Sequence, residues 1–258
     1  MTAYRFDDAE GYDRLMSRWS RAAGEALLTW AAPRKAARWL DVGCGTGSFT
    51  DLIVETCHPS RVVAIDAEPA QVVYANDRFA LREVQVGVAD ACLLPFESRS
   101  FDVVASALVL NFIPDIPRCL SEMARVAAAE GLICGYVWDF AGERSPTWPL
   151  REALKCLGYS VPAVPGASQT SRSALRTLLA AAGLRQPATR AFEVKMHFEE
   201  FDEFWVSQIA GSPTGKMVGK LGGMQRLDLQ AETRSQLCLS ADGAFAYLAR
   251  AHGFMGVA

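Results

Sequence analysis

Short apolar blocks recur along the chain and alternate with stretches in which apolar residues return at helical spacing. Residues 38–42, 61–66, 84–88, 101–110 and 131–137 have the length and apolar content of buried strands. Between them, 48–55, a stretch opening near Pro69, and 116–129, with Leu120, Met123 and Val126 on one face, carry the helical period. Strand then helix, repeated, predicts an α/β domain built on a mostly parallel sheet with helices on both faces. Upstream, 4–21 mixes aromatic and charged residues and predicts a short helix, while Leu27, Leu28 and Trp30, stopped at Pro33, pack this segment on the sheet. Downstream the pattern loosens. Prolines and glycines are scattered over 141–169 around one helical run at 150–157, 173–182 is a helix ended by Gly183, and 189–198 alternates as a strand. A helix starts at 201–205, 211–223 is glycine-rich, 224–238 is helical, and 244–253 alternates as a final strand.

One domain over 1–258 accommodates this pattern. It divides into an N-terminal helical segment (1–37), a core (38–140), and two insertions (141–170 and 199–240) expected to form the substrate side and a mobile lid.

The first strand runs into Asp41-Val42-Gly43-Cys44-Gly45-Thr46-Gly47, and Ser48 then opens a helix. Glycines let backbone approach a ligand, and free N–H groups at a helix start attract negative charge, so a nucleotide-like cofactor is expected here. The Gly-x-Gly-x-x-Gly dinucleotide fingerprint fails in both registers, since Ser48 or Thr50 falls on its last glycine; no lysine follows Gly47, which removes the phosphate loop of nucleotide hydrolases. The second strand ends in Asp66, about twenty residues past the loop, where a carboxylate meets ribose hydroxyls.

The formal net charge of −3 offers no broad field for phosphate backbones, so nucleic acid is not an expected partner. The seven cysteines are scattered and form no Cys-x-x-Cys pair or cluster with the three histidines; they read as reduced core thiols, with no structural metal and a cytoplasmic setting. No apolar run reaches ~18 residues and the N-terminus carries no apolar leader pattern, so neither membrane spanning nor export is expected.

Acid-x-Gly-x-Gly-x-Gly over 41–47 resembles the first motif of class I S-adenosylmethionine-dependent methyltransferases, and Ala89-Asp90-Ala91-Cys92 with Ser100-Phe101-Asp102-Val103-Val104 resembles their next two. Asp242-Gly243-Ala244-Phe245 with Ala249-Arg250-Ala251 is similar to the ending of many bacterial members, carrying the resemblance across nearly the whole chain. The resemblance implies a seven-stranded Rossmann-like sheet whose last strand runs antiparallel between its neighbours. It also implies S-adenosylmethionine as cofactor, bound by Asp41, Gly43, Cys44, Gly45, Gly47, Asp66, Ala67 and Leu108. Asp90 would accept from the adenine amino group, the Ala91 N–H would serve a ring nitrogen, and Cys92 and Leu93 would pack against the base. Tyr12 and Arg18 would close over the methionine end, Arg18 meeting its carboxylate.

Asn111-Phe112-Ile113-Pro114 lacks the first proline and the terminal aromatic of the motif that nucleic-acid amino methylases carry, which argues against base methylation. The expected reaction is methyl transfer to an O, N or C nucleophile of a small molecule, leaving S-adenosylhomocysteine. It demands positioning rather than an acid–base group, with Asp139 and His197 as weak candidates for a base. The alternative is a cofactor-binding regulatory or partner subunit without transferase activity.

Overall fold

Leu15, Trp19, Ala23 and Leu27 recur every four residues and are all buried, and this unbroken stripe makes the N-terminal segment one helix, α1 (Ala9–Ala31), instead of a short helix with a separate packing segment. The computed structural model describes residues 9–210 and 212–258, with the side chains of Ala9 and Tyr12 left outside the description. The expected role of Tyr12 therefore lies outside the described side chains.

Seven strands form one sheet: β1 (Arg38–Val42), β2 (Arg61–Asp66), β3 (Val84–Val88), β4 (Phe101–Ala107), β5 (Ala127–Trp138), β6 (Arg185–Phe198) and β7 (Phe245–Val257), in the order β3-β2-β1-β4-β5-β7-β6. Strands β1 to β5 pair in parallel. β7 runs antiparallel between β5 and β6, the arrangement that the resemblance implies. β1 to β3 begin and end where the apolar blocks do. β4 stops at Ala107, three residues before its predicted end, because Leu108 turns to φ +62° and Leu110–Phe112 form a 3₁₀ turn.

Helices α2 (Ser48–Cys57), α3 (Pro69–Arg78) and α4 (Ile116–Val126) connect successive parallel strands. α5 (Trp148–Cys156) and α6 (Arg172–Ala181) lie between β5 and β6, and α7 (Phe201–Ile209), α8 (Pro213–Val218) and α9 (Gly223–Ser235) between β6 and β7. One sheet face is covered by α1, α2 and the later insertions, the other by α4 and α6 through Cys119, Leu120, Met123, Leu175 and Leu179. Asp115 caps α4 by accepting from the Arg118 N–H, and Ser171 caps α6 from Ala174, which fixes where both helices start. Cys156 and Cys238 are exposed, so not all seven thiols sit in the core.

From β1 the chain moves outward to β2 and β3, then crosses back to β4 on the other side of β1. Connections leaving β1 and β4 in opposite directions open a crevice at the carboxyl ends of these strands. Every functional candidate of the core is placed relative to that crevice.

Candidate cofactor and acceptor site

The glycine loop fills the crevice floor, and its three glycines do different work. Gly43 and Gly47 take φ +78° and +84°, and a Cβ on them would overlap Val109 and Phe79 respectively. Both are packing positions. A Cβ on Gly45 would meet only Gln71 Oε1, at 3.9 Å, so this glycine leaves the loop open toward the cavity above it. Four N–H groups of the loop ahead of α2 are committed within the fold. Those of Gly43 and Cys44 donate to the Ile65 carbonyl at 2.7 and 2.9 Å, that of Gly45 to Asp66 Oδ2 at 2.8 Å, and that of Gly47 to the Cys44 carbonyl at 2.9 Å.

A cavity of about 590 Å³ lies over this loop. Gly43, Cys44 and Gly45 line it, as do Asp41, Asp66, Ala67, Asp90, Ala91, Cys92 and Leu108, so one space brings together most of the residues singled out in the sequence. Gly47 does not line it, and Leu93 stands outside it, 67 % exposed. Among the described residues the lining holds five carboxylates, those of Asp41, Asp66, Glu68, Asp90 and Asp115, and no lysine, arginine or histidine.

The carboxylates differ in what they can still accept. Asp41 is fully buried; its Oδ2 accepts from Thr50 Oγ1 at 2.6 Å, while Oδ1 has no partner among the described residues. Burial pushes its carboxyl up to about 7, against the Thr50 hydrogen bond that holds it down and with the nearby Asp66 charge adding to the rise. Asp66 accepts from the Glu68 N–H at 2.9 Å and the Gly45 N–H at 2.8 Å, so it ties the loop to the end of β2; each oxygen keeps a lone pair for a ligand, and burial raises its pKa as well. Asp90 accepts from the Cys92 N–H at 2.8 Å with one oxygen and leaves the other for the cavity.

Helix α1 contributes differently from expectation. Met16, Ser17 and Ser20 line the cavity. Arg18 does not: it ion-pairs with Glu203 at 2.9 Å, donates to the His197 carbonyl at 3.3 Å and lies over the Phe198 ring. Its neighbours on α7 and β6 hold it on the far side of the helix from the crevice. The two expected bases also stand apart. Asp139 is buried and accepts from the Gly142 N–H at 2.7 Å, with His252 and Arg250 each 3.7 Å away, and so orders the turn after β5. His197 is an exposed position on β6 that lines neither this cavity nor the one beside it.

That neighbouring cavity, about 40 Å³, shares Met16, Leu108 and Phe112 with the larger one. Its other walls are Leu15, Trp138 and Phe140, with hydroxyls from Ser145, Thr147, Ser212 and Thr214. Trp138 is buried and its indole N–H has no partner among the described residues. Both stretches read as insertions thus meet here, on the β4–β5 side of the crevice. The hydroxyls of 145–147 and 212–214 carry no apolar period and escaped the sequence reading. Met16 and Ser20, one helical turn apart, were legible from spacing alone.

A glycine loop after β1, acids at the ends of β2 and after β3, and an antiparallel last strand between β5 and β6 define the Rossmann-like methyltransferase architecture. Residues 40–135 match the family model described as a methyltransferase domain. A malonyl-[acyl-carrier protein] O-methyltransferase of Serratia marcescens is 31 % identical over 131 residues, 51 % of this chain and 50 % of that protein, so the chain spans about half the length of this relative. A solved Bacillus halodurans structure superposes with a TM-score of 0.61 at 14 % identity over 91 % of this chain and 97 % of that one. A Haemonchus contortus phosphoethanolamine N-methyltransferase, crystallised with phosphomonomethylethanolamine and S-adenosylhomocysteine, superposes at 0.58 with 17 % identity over 96 % and 56 %. The core of the chain, residues 40–135, is thus similar to the methyltransferase domain of class I S-adenosylmethionine-dependent enzymes. No helix among the described residues is long and apolar enough to cross a membrane.

Proposed function

We propose that the protein binds S-adenosylmethionine over the glycine loop and transfers its methyl group to an O, N or C nucleophile of a small molecule seated between β4, β5 and the two insertions. The observation that carries this reading is the cavity's charge. Five carboxylates and, among the described residues, no cation suit a ligand bearing a sulfonium and an ammonium, and repel the pyrophosphate of NAD or the phosphates of ATP. The loop amides already committed to Ile65, Asp66 and Cys44 point the same way, because a phosphate cradle needs them free.

The residues fit the group. Asp41 Oδ1, which has no partner among the described residues, would accept from the ammonium, the spare lone pairs of Asp66 from the ribose hydroxyls, and Asp90 from the adenine amine. Ser17 and Ser20, not Arg18, stand where α1 faces the cavity. When bound, S-adenosylmethionine supplies a methyl group already activated by its sulfonium. The protein's part is alignment and exclusion of water, and Leu108, Phe112, Trp138 and Phe140 provide it with apolar walls. Among the described residues no carboxylate, histidine or lysine lines the small cavity, which favours a nucleophile that enters already in a reactive form. O-methylation, the activity named for the Serratia relative, meets that condition when the acceptor is a carboxylate.

Incubation with methyl-labelled S-adenosylmethionine and a fractionated metabolite extract tests the reading. Label should appear in a low-mass product while S-adenosylhomocysteine accumulates. Cofactor binding with no label transferred to any fraction would contradict transfer.

A further inference from the structure

Beyond the small apolar cavity lies a third space, about 440 Å³, built from the turn after β5, α5 and residues 163–167. It shares Phe140 and Ser145 with the apolar cavity, which in turn shares Met16, Leu108 and Phe112 with the cofactor cavity. The three spaces therefore run in series from the glycine loop outward. Their chemistry changes along the way, from acidic, to apolar, to a charged wall in which Arg144, Arg151 and Lys155 stand with Glu143 and Glu152.

Which of these charges is uncommitted decides what the outer space can hold. Lys155 is neutralised by Glu143 at 2.5 Å, with Glu152 at 3.6 Å. Arg151 is half-buried and, among the described residues, makes no ion pair; its guanidinium donates only to the neutral oxygens Thr214 Oγ1 at 3.4 Å and the Pro162 carbonyl at 3.1 Å. Thr214 itself lines the apolar cavity, so Arg151 stands at the junction of the two spaces. A half-buried guanidinium without a carboxylate is an unsatisfied charge, and its planar fork suits a bidentate oxyanion. The indole N–H of Trp138, buried in the wall of the apolar cavity without a partner among the described residues, is an independent sign that a polar atom of a ligand enters there.

We propose that the methyl acceptor is an amphipathic anion, whose apolar body, carrying the nucleophile, lies between Leu108, Phe112, Trp138 and Phe140 and whose distal carboxylate or phosphate ester is bound by Arg151. Asp139 serves this site at one remove, since its hydrogen bond to Gly142 fixes the turn that carries Arg144. The inference rests on the cofactor reading above, which places the methyl group at the boundary of the first two spaces.

The test titrates the full chain, saturated with S-adenosylhomocysteine, with three ligand series of matched and increasing chain length: n-alkanoates, monoalkyl phosphates and n-alkyl amides. One of the two acid series should bind at least about tenfold more tightly than the amides, the loss expected for a missing charge-assisted hydrogen bond. The stronger acid series tells a carboxylate from a phosphate. Arg151→Met should bring the acids down to the amides, and Arg151→Lys should restore part of the preference, while S-adenosylhomocysteine affinity, which reports an intact fold, stays within about twofold in both. Equal binding of acids and amides, an acid preference that survives Arg151→Met, or no binding of any series to the loaded protein would each overturn the proposal. Failure of S-adenosylhomocysteine to bind would instead overturn the cofactor reading.

Discussion

Asp41 carries the most information of any single residue, because its charge state is undecided near neutral pH. A carboxyl raised to about 7 in the fold, against ~3.9 when unfolded, holds a proton in the native state that the unfolded chain has lost. The free protein therefore loses stability as pH rises from about 4 to about 7, and Asp41→Asn should flatten that slope in denaturant titrations at several pH values. An ammonium beside Oδ1 favours the charged form, so S-adenosylmethionine binding at pH 6 to 7 should release a proton and tighten as pH rises. Calorimetry in two buffers of different ionisation enthalpy reads this directly. 5′-Methylthioadenosine, which has no ammonium, should release none; equal release by both ligands would separate Asp41 from the methionine end.

The loop glycines are separable at the same scale. Gly45→Ala adds a Cβ toward the cavity, so it should weaken S-adenosylhomocysteine more than it destabilises the fold, where a positive φ costs about 1–2 kcal/mol. Gly43→Ala adds an overlap with Val109 to the same backbone strain and should cost about 1–3 kcal/mol more, seen as a lower urea midpoint. The reverse order would mean that Gly45, not Gly43, is the packing position.

At the scale of elements, α1 shows what the sequence carried and what it did not. The structure gives the cavity face to Met16, Ser17 and Ser20, and Arg18 to Glu203. Arg18→Ala should accordingly leave S-adenosylhomocysteine affinity unchanged and cost less than about 1 kcal/mol of stability, as exposed ion pairs do. A selective loss of affinity, with 5′-methylthioadenosine unaffected, would return the arginine to the carboxylate.

The parallel strands were legible as short apolar blocks, the first running into Gly43 and the second ending in Asp66, and the site residues with them, since strand ends face the crevice. β7 runs to Val257 although the alternation suggests an end at Gly253, because that glycine lies inside the strand with Phe192 packed where its Cβ would be. The acceptor side was illegible for a different reason. Ser145, Thr147, Ser212 and Thr214 come together only through tertiary packing of two insertions far apart in the chain, and no local period announces that.

Across the whole molecule, charge is sorted by place. The net charge is only −3, yet the cofactor cavity collects five carboxylates and no cation among the described residues, while the outer wall holds an uncompensated arginine. Burying carboxylates costs stability, and Asp41 and Asp66 register that cost in pKa values raised first by burial and further by a neighbouring acid. The arrangement is explained by a ligand that brings positive charge and hydrogen-bond donors to the glycine loop. One calorimetric comparison tests this most directly: S-adenosylmethionine, S-adenosylhomocysteine, NAD and ATP titrated into the same preparation at neutral pH. S-adenosylmethionine and S-adenosylhomocysteine should bind at one site per chain and NAD and ATP far more weakly; NAD or ATP binding as tightly as either would contradict the account.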